Sequence, residues 1–204
     1  DMLAAHQHLL VRDTLSISAV GDITAEELGP ILDDLLGDLP AGSALETAPL
    51  QLDIPAGLTV VDMPTPQSVA IFGHAGIDRN HPDFFAAFIL NTILGGQGIE
   101  SRLTAEVREK RGLTYGISTV LISKDQANVM LGQVASANDR INAAIEVIRD
   151  EWRKLARDGV TAEELQAAQT YLTGAYPLRF DGNSQISRIL VGMQRIGLGL
   201  DYIN

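Results

Sequence analysis

The sequence predicts an α+β fold, a mostly antiparallel sheet with helices packed on one face, from three observations. Strand-like segments come in pairs. The helical segments that follow them also come in pairs, with no strict strand–helix alternation. The longest helical segment carries one apolar stripe (Ile141, Ala144, Ile148, Trp152 and Leu155), as a helix covering a sheet should.

Taken in order, residues 1–10 have the apolar spacing of a helix interior (Met2, Leu3, Ala5, Leu9, Leu10) with no cap ahead of them, the pattern of a cut N-terminus. Residues 14–20 alternate apolar and small polar side chains and read as a strand. Thr24-Ala25-Glu26-Glu27 is a capping box opening a helix to about Leu36. Residues 37–55 turn to Pro, Gly, Ala, Ser and Thr without periodicity, as a surface linker does. Strands are expected at 58–63 and 68–74, joined through Pro64-Thr65-Pro66 as a hairpin or edge pair, since proline is tolerated only at strand ends or in the connection.

Asn80-His81-Pro82-Asp83 then starts a helix that is apolar nearly all round (Phe84, Phe85, Phe88, Ile89, Ile93, Leu94) and is expected to be buried. After Gly95-Gly96-Gln97-Gly98, residues 101–111 form a short charged helix closed by Gly112 in the left-handed region. Two strands follow at 115–122 and 128–135. Asn138-Asp139 caps the long amphipathic helix, which ends at Gly159, and Thr161-Ala162-Glu163-Glu164 opens another toward Tyr171. Residues 171–184 form a break, and a mixed helix covers about 185–198. One core is expected from Leu58 to Leu172. The string Thr-Ala-Glu-Glu-Leu occurs at Thr24 and again at Thr161, which fits either an internal repeat or chance recurrence of a good cap.

Composition narrows the function. The chain has no Cys, which removes disulfides, thiolate metal sites and cysteine nucleophiles but assigns no compartment. A formal net charge of −11 repels phosphate backbones and anionic headgroups, so nucleic-acid binding is disfavoured. No apolar run reaches the roughly 18–20 residues needed to span a bilayer.

Against that acidic background, Arg102, Arg108, Lys110 and Arg111 fall within ten residues. A solvated face with pairing to Glu106 and Glu109 accounts for most such runs. Geometry favours more: Arg108 lies one turn from the helix end and Tyr115 just past the Gly112 turn, so both can reach one point. A guanidinium and a neutral phenol together form a donor pair suited to a carbonyl oxygen gaining negative charge. Such a pair stabilises an oxyanion but does not generate a nucleophile.

Gly95-Gly96, Ser101-Arg102-Leu103 and the run from Glu106 to Tyr115 resemble the second-half signature of pitrilysin/insulinase-type (inverzincin) zinc metallopeptidases, in their processing-peptidase-like bacterial branch. The resemblance implies that residues 1–40 are the tail of a preceding half-domain and 41–55 a linker. Residues 56–204 are then the half-domain bearing the Arg/Tyr motif, truncated at its C-terminus. It implies that Arg108 and Tyr115 contact the scissile carbonyl or its tetrahedral intermediate, that Gly95, Gly96 and Gly98 form a substrate-binding turn, and that zinc and general base come from a partner domain or subunit. Gln97, Ile99 and Glu100 depart from a segment often built of Gly and Ser, which weakens the case for substrate contacts by this loop more than that for the Arg–Tyr pair.

The zinc motif of that family, H-x-x-E-H, is absent: the histidines are His6, His8, His74 and His81, and a spacing of two puts His6 and His8 on different sides of a helix. Glu26/Glu27 and Glu163/Glu164 sit in first helical turns, where the helix dipole stabilises negative charge, so they are not catalytic pairs. The glycine turn lacks the Gly-Lys-Ser/Thr ending of a phosphate loop.

Two functions compete. One is a component of a metalloendopeptidase acting on peptides or unfolded proteins, paired with an H-x-x-E-H subunit or as a homodimer. The other is a proteolytically silent structural or peptide-binding subunit. The compartment, periplasm or cytoplasm, stays open.

Overall fold

A computed structural model of the chain describes residues 2–42, 50, 52–96, 98 and 100–203. The chain divides into two compact units, Asp1–Ala48 with Gly174–Asn204 (unit 1) and Pro49–Thr173 (unit 2). Residues 174–204 thus group with the N-terminal stretch, a division that a single boundary in the 41–55 linker does not anticipate.

Unit 1 holds helices α1 (Met2–Leu9) and α2 (Ala25–Leu36), a 3-10 turn at Arg12–Thr14, another at Pro177–Phe180, and helix α6 (Asn183–Arg195). The capping box starts α2 as expected: Glu27 N–H donates to Thr24 Oγ1 at 3.3 Å, and Thr24 N–H donates to the Glu27 carboxylate at 2.9 Å. The strand expected over 14–20 does not form among the described residues. Thr14 is taken up by the 3-10 turn, and the extended backbone beyond it is met by side chains of α6, not by a ladder. Gln194 Nε2 donates to Ile17 O at 2.8 Å and Ser187 Oγ to Ser18 O at 3.3 Å.

Unit 2 is built on an antiparallel sheet in the order β1-β3-β2, with β1 Gln67–Ala75, β2 Gly116–Lys124 and β3 Ala127–Ala137. β2 and β3 are a hairpin closed at Lys124↔Ala127, and Val134 pairs with Ala70 on one side and Ile117 on the other. The expected pairing of 58–63 with 68–74 is corrected: β1 pairs with β3, and Leu58, Val60, Val61 and Met63 lie exposed. Two prolines remove N–H donors from the connection. Thr65 between them is bound elsewhere: its Oγ1 donates to Gln67 O at 2.9 Å, and its carbonyl accepts from Asn138 Nδ2 at 2.9 Å. That use of Asn138 also overturns its expected role as a cap: helix α4 (Ile141–Asp158) begins after Arg140 without a side-chain cap.

Helices α3 (Phe84–Gly95) and α4 pack on the sheet face formed by Ala70, Phe72, Ile117, Met130 and Val134. The core cluster comprises Leu94, Leu103, Val107, Ile117, Met130, Val134, Ala144 and Ile148, with Phe72 and Trp152 meeting edge-on at 5.7 Å. Fully burying one such aliphatic side chain contributes roughly 1.5–3 kcal/mol. The predicted stripe of α4 therefore faces inward. In α3 only the second half is continuously buried, Asn91 through Gly95, whereas Phe85, Phe88 and Leu90 remain partly exposed, so the expectation of all-round burial holds for the C-terminal turns alone. Helix α5 (Ala162–Ala175) runs past Tyr171, and the break comes at Pro177, where the missing N–H and the ring forbid continuation.

Candidate functional site

The charged segment after the glycine turn is wound more widely than an α-helix. Over Thr104–Glu109 it is π-helical, with Lys110 N–H reaching back five residues to Ala105 O at 2.9 Å. Ser101, itself buried, opens the segment through Oγ bonds to Thr104, and Leu103 and Val107 are fully buried, anchoring its inner side in the core. Winding of this kind stacks residues i, i+4 and i+5 on one side, and π-turns recur at functional sites. Two such sets result. Glu106 lies against Lys110 and Arg111, while Thr104, Arg108 and Glu109 share another side.

That winding sorts the four cations. Lys110 and Arg111 both bind the Glu106 carboxylate at 2.5 Å, and these two hydrogen bonds, Lys110 first, hold Glu106 down to about 2 from 4.5. Arg102 forms a two-pronged pair with Glu164, and that bond is the main cause of the lowered Glu164 pKa and the raised Arg102 pKa. Arg108 is left with a loose approach to its neighbour Glu109, Nε to Oε1 3.6 Å, with both side chains about half exposed (54% and 55%). Pairing of Arg108 with Glu106, which the sequence allowed, is absent because Glu106 is already occupied.

Arg108 borders an open cleft of about 540 Å³ that is also lined by Gly96, Gly98, Glu100, Thr104, Glu109 and Ile117. Gly98 has φ +87°, a backbone conformation that favours glycine, and a Cβ there would run into the Tyr171 hydroxyl. Gly95 faces inward, where a Cβ would meet Thr119 Oγ1 at 2.5 Å and Leu103 at 3.0 Å. Of the three turn glycines, Gly96 and Gly98 line the cleft and Gly95 packs against β2 and Leu103.

Gly112, at φ +58°, closes the segment in the left-handed region as predicted. The turn behind it is firmly held. Ser136 Oγ donates to Leu113 O at 2.5 Å, and Thr114 Oγ1 binds Ala135 O at 2.5 Å and accepts from Gly116 N–H at 3.0 Å. With Thr114 buried, Tyr115 is turned outward and is 94% exposed. It is not part of the cleft lining, although Ile117, two residues on, is. Among the described residues no hydrogen bond joins Tyr115 to Arg108.

The described residues do not form a zinc site: no group of three or more His, Cys, Asp or Glu side chains converges on a metal position. His74 is exposed and bonds Ala75 O through Nδ1 at 2.7 Å, and His81 Nδ1 accepts from Asp83 N–H at 3.1 Å at the start of α3. The side chain of His8 lies outside the described residues. Among the described residues no helix is long and apolar enough to cross a membrane. What sequence reasoning missed is the second duty of Glu164. Its capping role is written in Thr161-x-x-Glu164, but its partner Arg102 is 62 residues away and carries no local signal.

Comparison with known proteins identifies the frame. A family model described as the peptidase M16 inactive domain matches residues 1–172. An uncharacterized zinc protease, YmxG, of Bacillus subtilis is 28% identical over 125 residues, 61% of this chain and 30% of that protein. A non-peptidase homolog, also named YmxG, from Helicobacter pylori is 24% identical over 89% of this chain and 42% of its own length. Among solved structures, a peptidase M16 inactive domain from Pseudomonas fluorescens superposes with a TM-score of 0.72 at 29% identity, covering 90% of this chain and 44% of that one. The chain thus spans less than half the length of these relatives. It corresponds to the inactive half-domain of zinc protease-like proteins, in keeping with the pitrilysin-type resemblance carried by residues 95–115. With the model covering residues 1–172, the chain belongs to the peptidase M16 inactive-domain family.

Proposed function

We propose that the chain supplies the carbonyl-binding side of a zinc-dependent metalloendopeptidase, with Arg108 and Tyr115 directed at the oxygen that gains negative charge and with metal and general base held by a partner domain or subunit. The observation that carries this reading is the sorting of charge in 102–111. Arg102, Lys110 and Arg111 are committed to Glu164 and Glu106, and Arg108 borders a glycine-lined cleft with only a loose neighbour. A guanidinium kept out of strong ion pairs is available to a substrate oxygen at little cost in exchange. The extreme exposure of Tyr115 suits a donor that meets its acceptor only when substrate and the opposite half are in place.

Peptides or unfolded segments are the substrate class in this reading, bound in extended form. Zinc, held elsewhere in the assembly, would supply the activated water, and this chain's part is to bind and orient the carbonyl. A second reading, a proteolytically silent subunit, is favoured by the absence of any bond between Arg108 and Tyr115 among the described residues and by the Helicobacter pylori relative named as a non-peptidase homolog.

The two are separated by hydrolysis of a quenched peptide, measured for the chain alone and then with an H-x-x-E-H partner. Turnover that requires the partner and disappears in Arg108→Ala supports the first. A stable complex without Arg108-dependent turnover establishes the second.

A further inference from the structure

We infer that Glu164 is a positioning residue for Arg108, acting through Arg102. The inference rests on the proposed function above and extends it to residues outside the cleft. Arg102 Nε and Nη2 each donate to one Glu164 oxygen at 2.6 Å, and Nη2 also donates to Gly159 O at 2.9 Å. The same carboxylate accepts Thr161 N–H at 2.8 Å. Three stretches of chain therefore meet at one group: the entry to the π-helical segment, the corner after α4 and the first turn of α5. Arg102 and Glu164 are only 16% and 28% exposed, so the pair is largely shielded from solvent competition.

Position makes this pair more than a staple. Arg102 lies between Ser101 and Leu103, both buried, and thereby fixes where the π-helical segment begins. Its end is fixed by Leu113 N–H donating to Val107 O at 2.9 Å and by the Ser136 bond to Leu113 O. Arg108 is held between these two ends. The spacing that places it on the cleft side depends on both staying put, and a displacement of about 1 Å at a reacting group can lower rate 100-fold. The planar guanidinium fork matters, because a lysine at 102 could hold one oxygen but not both while also reaching Gly159.

The test uses the chain assembled with its zinc-bearing partner domain or subunit. Four variants are compared for kcat, KM, Tm and amide hydrogen exchange over residues 104–111: Arg108→Ala, Arg102→Lys, Glu164→Gln and Thr161→Ala. Thr161→Ala removes the capping hydroxyl, which accepts Glu164 N–H at 3.2 Å, but leaves the Arg102–Glu164 pair. It controls for a purely structural effect.

The expected result is that Arg102→Lys and Glu164→Gln lower kcat about 10- to 100-fold with KM within about twofold, and speed exchange over 104–111. Thr161→Ala, at a matched loss of Tm, should do neither. If Arg108→Ala abolishes turnover while Glu164→Gln follows Thr161→Ala in every readout, the positioning role is refuted and the proposed function stands. If Arg108→Ala leaves turnover intact, the proposed function fails and the positioning role fails with it.

Discussion

The same five residues, Thr-Ala-Glu-Glu-Leu, open helices in both units, and their fates differ. At Thr24 the box is complete and nothing more: Glu27 caps its own helix, with its pKa lowered by the Thr24 backbone bond. At Thr161 the geometry repeats, Thr161 N–H to Glu164 at 2.8 Å and Glu164 N–H to Thr161 Oγ1 at 3.2 Å, but Glu164 also takes the fork of Arg102. Local sequence is enough to start a helix. Whether the capping carboxylate does anything else is decided by what the fold brings to it, and here that is the stretch that carries Arg108.

The sharpest way to break this comparison is at the site itself. In an active assembly, Arg108→Ala or Tyr115→Phe should cost on the order of 100- to 1,000-fold in turnover with substrate binding nearly intact, whereas Thr24→Ala in unit 1 should leave kinetics alone. Unchanged turnover in Tyr115→Phe removes that residue from the mechanism. Next in size, Arg102→Ala leaves a largely shielded carboxylate without its main partner and should cost about 1–3 kcal/mol in denaturant unfolding. A loss within experimental error would mean that water replaces the fork.

Smaller still are the caps. Thr24→Ala and Thr161→Ala should each cost about 1 kcal/mol, and equal values would show that cap strength is set locally in both units. Last comes acid. Glu106 sits at about 2 in the folded protein against 4.5, so it contributes stability above pH 4.5 that is lost as pH falls toward 2. Lys110 and Arg111 are 64% and 43% exposed, so screening keeps that contribution modest, and salt should reduce it further. Glu106→Gln should flatten the stability profile in that window.

Much of this was legible in the residues. Both capping boxes, the strands β2 and β3, the inward stripe of α4 and the left-handed Gly112 follow from short-range rules about donors, period and φ. Residues 14–20 and 58–63 look like strands for equally good local reasons and are not paired among the described residues, because a strand needs a distant partner that its own pattern does not name. The charged segment read as an ordinary helix. Periodicity could not reveal a bond from Lys110 to Ala105, which depends on Leu103 and Val107 both being drawn into the core. For the site, spacing singled out Arg108 and Tyr115, but it could not say that Tyr115 would turn outward from the cleft or which of four cations would remain uncommitted.

The sheet of unit 2 has a practical consequence for anyone handling the protein. With β3 in the middle, β1 and β2 are both edges among the described residues, and the face away from the helices presents Val69, Ile71, Val120 and Leu131, which are 59%, 68%, 49% and 36% exposed. Open ladders beside apolar side chains are templates for strand addition from any neighbouring molecule. Concentration-dependent self-association of the isolated chain is the expected outcome, and sedimentation of wild type against Ile71→Lys checks it.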